Sequence, residues 1–386
     1  MMRRIRYVSK DKLCLFALNF FLIFPHFKTP YMDQVGALDI FFNLWRVASA
    51  CYILMKLVKK PQISPVVFAF CIFQGIYMVS TVINEGNIRE CFLATVSILS
   101  FSIYVDACMN TDERYIVEDV IRVILEILIY VNLATIILIP DGMYKDWTWR
   151  NWFLGTDNQH VAYYVVGFVF SVVCSIRKKS YLRLCIFTVA IYASTFITFS
   201  GTAVGGMVVY GVIVVIVTLV FRNKKLKFGL FYLFPTLIFV MIVIMRVQDI
   251  FSVIITDWIG KDLTFTGRTF IWDRAIYWFL QSPIIGNGIE FAALHTEKTI
   301  FPSTHNTLLG YAYNGGILAL GTFASIIGLV SQKINSCANE YIPKVIAISI
   351  SVLFFMMIFE EYKQICLYLL YILGYNVVCN EEREVT

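Results

Sequence analysis

The sequence predicts an all-α integral membrane protein with about twelve transmembrane helices and one large extracytoplasmic loop. Apolar residues make up 59% of the 386 positions, charged residues make up only 15%, and the mean hydropathy is +0.73. A soluble domain carries about 25% charged residues because water must wet its surface. Lipid must therefore solvate much of this chain, which excludes an ordinary soluble domain.

Twelve apolar runs approach the length needed to cross ~30 Å of hydrocarbon. These runs divide the chain into three parts: residues 1–246 hold about nine helices, residues 247–304 form the large outer loop, and residues 305–386 hold the last helices and a tail. The last two runs are short, and a hairpin that does not fully cross is an alternative for them. The runs lie at about 13–27, 37–56, 64–83, 91–107, 117–139, 160–176, 182–199, 203–221, 228–246, 305–330, 344–359 and 364–379.

The net charge of +6 reflects membrane orientation better than nucleic-acid binding. The basic residues form short clusters between apolar runs, as expected of cytoplasmic loops. With an even number of spans, all four clusters fall on one side, so both termini are predicted to be cytoplasmic in a bacterial cytoplasmic membrane. The clusters are Arg3, Arg4, Arg6, Lys10 and Lys12; Lys56, Lys59 and Lys60; Arg177, Lys178, Lys179 and Arg183; and Arg222, Lys224, Lys225 and Lys227.

The large outer loop contains a predicted helix over residues 269–281, which Thr266 or Thr269 caps and Pro283 ends. Arg268 stands at its first turn, where free backbone N–H groups and the helix dipole attract anions. An arginine there binds phosphate well because its planar guanidinium donates two hydrogen bonds. The alternative is an amphipathic helix on the membrane surface whose arginines reach lipid headgroups.

The tenth apolar run opens with His305 and Asn306 and contains several glycines. A histidine at the membrane surface titrates near neutral pH and can accept a proton from a substrate. The structural alternatives are a histidine that only forms hydrogen bonds and glycines that only allow close helix packing. In a separate outer turn, Glu360 and Glu361 are further polar candidates, for an acceptor site.

Three short motifs in this order resemble the O-antigen polymerase and ligase family of envelope glycosyltransferases. They are Gly267-Arg268…Trp272…Ala275, Pro283…Gly286…Gly288 and His305-Asn306…Leu308. Two weaker similarities lie upstream, in Phe153-Leu154-Gly155…Asn158 and in Ser200-Gly201-Thr202. The family often has Ser-Arg at the latter position, and this chain lacks that arginine; Arg150 and Arg274 are the candidate replacements.

The resemblance implies a helical membrane glycosyltransferase fold (GT-C type) and a sugar chain carried on undecaprenyl diphosphate, with neither metal nor cofactor. Arg268 would stabilise the leaving diphosphate and His305 would deprotonate the acceptor hydroxyl. Tryptophans can stack on sugars, although they also mark membrane interfaces. The implied substrate-binding residues are Arg150, Arg274, Trp272, Asn306, Gly286, Gly288 and Asn158, with Trp147, Trp149 and Trp152 as further sugar platforms.

The resemblance implies a polymerase of lipid-linked repeat units for an O-antigen, capsule or exopolysaccharide, or a ligase that transfers finished polymer, and the motifs do not separate the two. The polymerase is the favoured interpretation because no C-terminal soluble domain is predicted. A polysaccharide transporter or lipid flippase is the alternative from another class, but it would place charges near the membrane midplane, often in two related halves. Expected partners are the lipid-linked oligosaccharide, membrane lipid, a chain-length regulator and a flippase, with no nucleic acid.

Overall fold

A computed structural model describes residues 10–59, 63–146, 149–221, 227–247, 267–289, 303–337 and 340–377. Nearly all of its regular structure is helical, with one two-stranded antiparallel sheet. The helices are α1 (Lys10–Ile23), a 3-10 turn (Phe24–Phe27), α2 (Pro30–Gln34), α3 (Gly36–Lys59), α4 (Pro65–Ile83), α5 (Ile88–Met109), α6 (Arg114–Leu138), α7 (Asp157–Lys178), α8 (Leu182–Thr198), α9 (Gly201–Leu219), α10 (Phe228–Phe239) with a π-helical turn (Val240–Ile244), α11 (Arg268–Gln281), α12 (Thr307–Ser336), α13 (Tyr341–Met356) and α14 (Gln364–Tyr375). The strands are β1 (Tyr144–Asp146) and β2 (Trp149–Asn151).

The protein is a multi-pass helical membrane protein. Among the described residues, seven helices are long and apolar enough to cross a membrane, and four shorter apolar helices accompany them. Each of the twelve apolar runs of the sequence contains a helix. The exact number of spans and the division of the chain at 246 and 304 stay predictions, because much of the region 247–304 lies outside the described residues.

One end of the bundle, here called the site end, is formed by residues 24–35, 84–87, 139–156, 199–200, 267–268, 282–289, 303–306 and 357–363. Contacts far apart in the sequence join these segments. Asn84 Nδ2 donates to the Gly286 carbonyl at 3.1 Å, and Lys363 Nζ donates to the Lys28 carbonyl at 2.9 Å. Every second loop along the chain therefore lies at this end, as expected of helices that cross the membrane in alternating directions.

The opposite end, here called the basic end, is formed by residues 110–113, 179–181, 337 and 340, and 376–377. There Arg114 Nη1 donates to the Asn376 carbonyl at 2.8 Å, and Lys178 Nζ lies 2.8 Å from Asp119 Oδ2. The described lysines and arginines of the predicted cytoplasmic clusters lie toward this end. Acidic partners on α6 hold several of them in place.

The centre of the bundle is built around α4, α12 and α14, which pack against one another. The Phe70 and Tyr368 rings stack at 3.9 Å, and Gln74 Nε2 donates to the Tyr368 hydroxyl at 3.1 Å. Nearly every residue of α14 is buried. A helix surrounded by protein needs no polar face, which explains why α14 is apolar throughout.

The long helix α12 is interrupted at Gly316, whose φ is 63°. The segment that follows α11 fills the interruption: Asn287 N donates to the Tyr313 carbonyl at 2.8 Å, and Ile317 N donates to the Pro283 carbonyl at 2.8 Å. These bonds replace those that the helix loses at the break. The backbone of the Pro283–Gly288 segment thus supplies the hydrogen-bond partners that α12 lacks at its break, and this segment is called the plug below.

Helix α11 confirms the sequence prediction of a helix that ends before Pro283, but the predicted cap at Thr269 is wrong. Its N-cap residue is Gly267, with φ 81° and no side-chain cap. Thr266 lies outside the described residues, and Thr269 is within the first turn. A glycine tolerates this left-handed conformation, so the turn can bring Arg268 to the start of the helix.

Candidate functional site

Arg268 is the first residue of α11 and points toward the turn between α13 and α14. Its guanidinium Nη2 donates to Glu360 Oε2 at 3.4 Å, and its side chain is 18% exposed. The free N–H groups at the start of α11 add partial positive charge beside it. Arg268 therefore stands at the site end of the bundle, where one long ion pair with another described residue restrains it.

His305 precedes α12 in a strained conformation. Its φ is 48°, in the left-handed region that β-carbon-bearing residues rarely adopt. The His305 N–H donates to Ser303 Oγ at 3.0 Å, and the next residue caps the helix, with Asn306 Oδ1 accepting from Leu309 N at 2.9 Å. The ring Nδ1 lies 3.6 Å from Glu360 Oε1. The strain is maintained by the fixed cap, as is common at functional sites.

Hydrogen bonds attach the 357–363 turn to the start of α12. Thr307 Oγ1 donates to the Glu360 carbonyl at 2.8 Å, and the Thr304 N–H donates to Glu361 Oε1 at 2.9 Å. Burial raises the pKa of the Glu361 carboxyl above its ordinary value, while hydrogen bonds from Thr304 and Ser303 and the nearby His305 oppose that rise. The turn and the histidine segment therefore form one rigid unit.

Glu360 is the residue on which the site converges. Its two carboxylate oxygens face different basic side chains, Oε2 toward Arg268 and Oε1 toward His305, and its side chain is 8% exposed. The sequence prediction named Glu360 only as a possible acceptor-site residue. Arg268 comes from α11 and His305 from the segment before α12, and no local sequence pattern connects either residue to Glu360.

Three polar side-chain atoms in the two segments that carry His305 and Glu360 are buried without a hydrogen-bond partner within the described parts of the chain. They are His305 Nδ1, Asn306 Nδ2 and the Tyr362 hydroxyl. Buried polar groups are nearly always paired, and exceptions commonly mark ligand positions. The site end therefore offers unused hydrogen-bonding groups beside Arg268.

Arg246 is a second guanidinium at α11 that the sequence prediction did not assign to the site. It follows the π-helical turn, with Nε 3.1 Å from Asp273 Oδ1 and Nη2 donating to the Thr269 carbonyl at 3.0 Å. It also lies over the Trp272 ring, 5.4 Å from the ring centre. Its position near a span end was visible in the sequence, but its contact with the start of α11 was not.

The structure places Trp272 and Arg274 on α11 among packed side chains. Trp272 is fully buried, with its ring 6.5 Å from that of Phe359. Arg274 interacts electrostatically with Tyr313 of α12. The assignment of both residues to substrate binding stays a prediction.

Arg150 and Asn158 lie in a different part of the site end. Arg150 is exposed on β2, with its guanidinium 5.7 Å from the centre of the Trp152 ring. Ser200 Oγ donates to Asn158 Oδ1 at 2.7 Å, so the two weaker sequence similarities meet in space. The substrate roles of Arg150 and Asn158 stay predictions, and Trp147 lies outside the described residues.

Gly286 and Gly288 have close packing neighbours. A Cβ on Gly286 would lie 2.5 Å from the Asn314 carbonyl carbon, and one on Gly288 would lie 2.6 Å from Thr81 Cα. Both glycines have positive φ, 72° and 77°. These contacts give the glycines a structural explanation, and their predicted contact with substrate stays a prediction.

An apolar cavity of about 560 Å³ lies between α10, α11 and α12. Its volume is in the range of small-molecule sites, about 300–1,000 Å³. The wall includes Leu308 and Leu309, which follow Asn306 in the first turn of α12, and Ile276 and Phe279 of α11. An apolar space thus lies against the two helices that begin with Arg268 and just after His305.

Residues 186–324 match the family model described as O-antigen ligase. The match runs from α8 into α12 and includes Arg268, Gly286 and His305. It confirms the resemblance that the three motifs carry and supports a membrane enzyme in polysaccharide assembly. No curated protein matches the chain.

Proposed function

We propose, from the O-antigen ligase match over residues 186–324, that this chain is a glycosyltransferase of surface polysaccharide assembly. In this proposal it polymerises oligosaccharide repeat units that are linked to undecaprenyl diphosphate, on the outer face of a bacterial cytoplasmic membrane. Its termini are cytoplasmic, and no metal takes part. The observation that carries the proposal is the convergence of Arg268 and His305 on one buried carboxylate at the site end.

The proposed reaction forms a bond between an acceptor hydroxyl oxygen and the anomeric carbon of the donor sugar. The bond between that carbon and the diphosphate oxygen breaks, and the lipid diphosphate leaves with the electron pair. Arg268 stabilises the negative charge that develops on the leaving group. His305 accepts the proton of the acceptor hydroxyl. Arg246, at the same helix, supplies the second cation in place of the arginine that the chain lacks after Ser200.

The apolar cavity supports a lipid-linked donor. It lies between α10, α11 and α12, beside the two helices whose first turns carry the site. A donor with an isoprenoid tail needs apolar contact next to its phosphates, whereas a soluble sugar nucleotide does not. We expect the first units of the tail to occupy this space.

A ligase remains the second candidate, because the family description itself names that activity. A transporter is less well supported. The broken helix α12 would be its expected ion or substrate site, but the Pro283–Gly288 segment supplies hydrogen bonds to the break. Protein backbone therefore occupies the place where a transporter would hold its cargo.

A gel of lipid-linked glycans, extracted from cells with and without the gene, tests the proposal. A polymerase predicts that the deletion strain accumulates a single repeat unit and loses the ladder of longer chains. A ligase predicts that long polymer persists on the carrier lipid and never reaches its final acceptor. Unchanged glycans in both fractions would contradict either enzyme. Restoration by the plasmid-borne gene is the control.

A further inference from the structure

Glu360 has a geometry that suits more than a structural ion pair. The residue is fixed at its backbone, where the carbonyl accepts from Thr307 Oγ1 at 2.8 Å and the N–H donates to the Met356 carbonyl at 3.1 Å. Oε1 accepts from the Glu361 N–H at 3.2 Å. The carboxylate is therefore held in position, with one oxygen directed to each of the two proposed catalytic groups.

His305 needs such a partner for the role proposed above, on which this inference rests. An imidazole that accepts a proton at Nε2 must carry its own hydrogen on Nδ1. A carboxylate facing Nδ1 selects that tautomer and stabilises the imidazolium that forms. Glu360 Oε1 is the carboxylate oxygen at this nitrogen, at 3.6 Å. That separation is longer than a hydrogen bond, and catalytic contacts often shorten only when substrate binds.

Arg268 competes with His305 for the same carboxylate. Its Nη2 is 3.4 Å from Glu360 Oε2, so without a donor the Glu360 charge is shared with the guanidinium. A lipid diphosphate is a stronger partner for arginine because it carries more charge and matches the guanidinium geometry. Its arrival would draw Arg268 away and leave the carboxylate to His305.

We propose that Glu360 is a positioning residue that couples donor binding to activation of the base. Before the donor binds, Glu360 is paired with Arg268. When the donor diphosphate takes Arg268, Glu360 closes on Nδ1 of His305 and orients the ring for the acceptor hydroxyl. The proton of that hydroxyl passes to His305 Nε2, and Glu360 itself neither touches substrate nor changes protonation.

The surroundings of Glu360 define what a pH experiment will report. Among the described residues, the titratable and charged groups that face it are Arg268 of α11, His305 before α12, and Glu361 and Tyr362 of its own turn. Of these, the His305 imidazole is the proton acceptor of the proposed reaction. A carboxylate at Nδ1 stabilises the imidazolium that forms during turnover, so removing its charge weakens the base and moves the acidic limb of the kcat profile to lower pH.

The test compares Glu360→Gln, Glu360→Asp and the exposed control Glu85→Gln, which lies at the same end of the bundle. Each purified protein in nanodiscs receives the lipid-linked glycan that accumulates in the deletion strain, and turnover is followed against pH. For Glu360→Gln we expect kcat to fall about 10–100-fold, KM for the donor not to rise, and the acidic limb of the kcat profile to move to lower pH. Glu360→Asp should recover part of kcat, and Glu85→Gln should match the parent.

A kcat within twofold of the parent, or an unshifted profile with a raised donor KM, would overturn the coupling. If Glu360→Gln does not fold, as judged by its melting transition, the pH profile of Glu360→Asp decides instead. Its acidic limb should lie at lower pH than that of the parent. The proposed enzyme activity fails separately, if the parent protein itself shows no turnover of the lipid-linked glycan. Inactive Arg268 and His305 variants with a parent-like Glu360→Gln would reject only the role of Glu360.

Discussion

The carbonyl oxygen of Ile284 lies 2.2 Å from the point where a Cβ atom on Gly316 would stand. The same carbonyl accepts from Leu318 N at 3.3 Å, so it cannot withdraw without breaking the plug in α12. The start of α12, with His305 just before it, and the end of α11 are thus locked together through their backbones. This contact sets the distance between the two motifs that carry Arg268 and His305.

Alanine at Gly316 or Gly286 should therefore destabilise the folded protein strongly. Positive φ at an alanine costs about 1–2 kcal/mol by itself, and the added Cβ overlaps backbone atoms at both positions. The matched control is Gly321→Ala in the same helix, where nothing lies within 4 Å of the added carbon. Melting temperatures in detergent should fall by several degrees for the first two variants and remain unchanged for the control. Equal stability of all three would contradict the plug.

Arg268→Ala and His305→Ala should each abolish most turnover without loss of folded protein. Removing one group that stabilises developing charge lowers kcat about 10²–10³-fold, and removing a general base lowers it about 10²–10⁴-fold. Turnover on the accumulated lipid-linked glycan measures both effects. Arg89→Ala is the control, because Arg89 is an exposed arginine at the same end of the bundle. Full activity in either well-folded variant would remove that residue from the mechanism.

The sequence was sufficient to predict the features that depend on local pattern. Length and hydropathy located the helices, and Pro283 correctly marked the end of α11. These two predictions succeed because helix propensity, apolar runs and proline stops act within a few residues of one another. The order of the motifs also predicted that Arg268 and His305 would serve one site, and that shared role stays a prediction.

The sequence was insufficient where the partner is distant. Glu360 is 92 positions from Arg268 in the chain, and only the packing of the bundle brings the two together. Gly286 was predicted to bind substrate from its motif alone, and no sequence signal indicated that its close neighbours, Asn314 and Gly316, belong to another helix. Arg246 contacts α11 although residues 248–266 separate the two in the sequence, so no spacing rule connects them. Tertiary packing decides such roles, and a single sequence carries no direct signal of it.

Glu361 should make folding stability decrease as pH rises. Burial raises the pKa of this carboxyl, so the folded protein binds its proton more tightly than the unfolded chain. The free energy of unfolding that this proton contributes is fully present below the pKa of Glu361 in the unfolded chain. It is lost as pH rises through the pKa of Glu361 in the folded protein. Melting temperatures of the parent should therefore fall, relative to those of Glu361→Gln, as pH rises above the ordinary glutamate pKa of about 4.3. The exposed carboxylate variant Glu85→Gln should follow the parent, and parallel curves for the parent and Glu361→Gln would contradict the shift.

The ion pair between Arg183 and Glu126 should contribute to stability at the basic end. Arg183 Nε lies 3.0 and 2.9 Å from the two Glu126 oxygens, and the Glu126 side chain is only 4% exposed. Arg183→Met would leave that carboxylate with Arg122 alone, whose Nε is 4.0 Å away. We expect a loss of about 2 kcal/mol, below the cost for a fully buried pair because Arg183 is half exposed.

A double variant separates the pair from the individual side chains. Glu126→Gln combined with Arg183→Met removes both charges, so it should recover part of the stability that Arg183→Met alone loses. Lys56→Met is the matched control, because the Lys56–Glu113 pair spans 3.8 Å and its lysine is half exposed. Thermal unfolding in detergent should show less than about 0.5 kcal/mol for the control. If the double variant is less stable than Arg183→Met alone, the contribution of Arg183 to stability does not come from neutralising the buried Glu126 carboxylate.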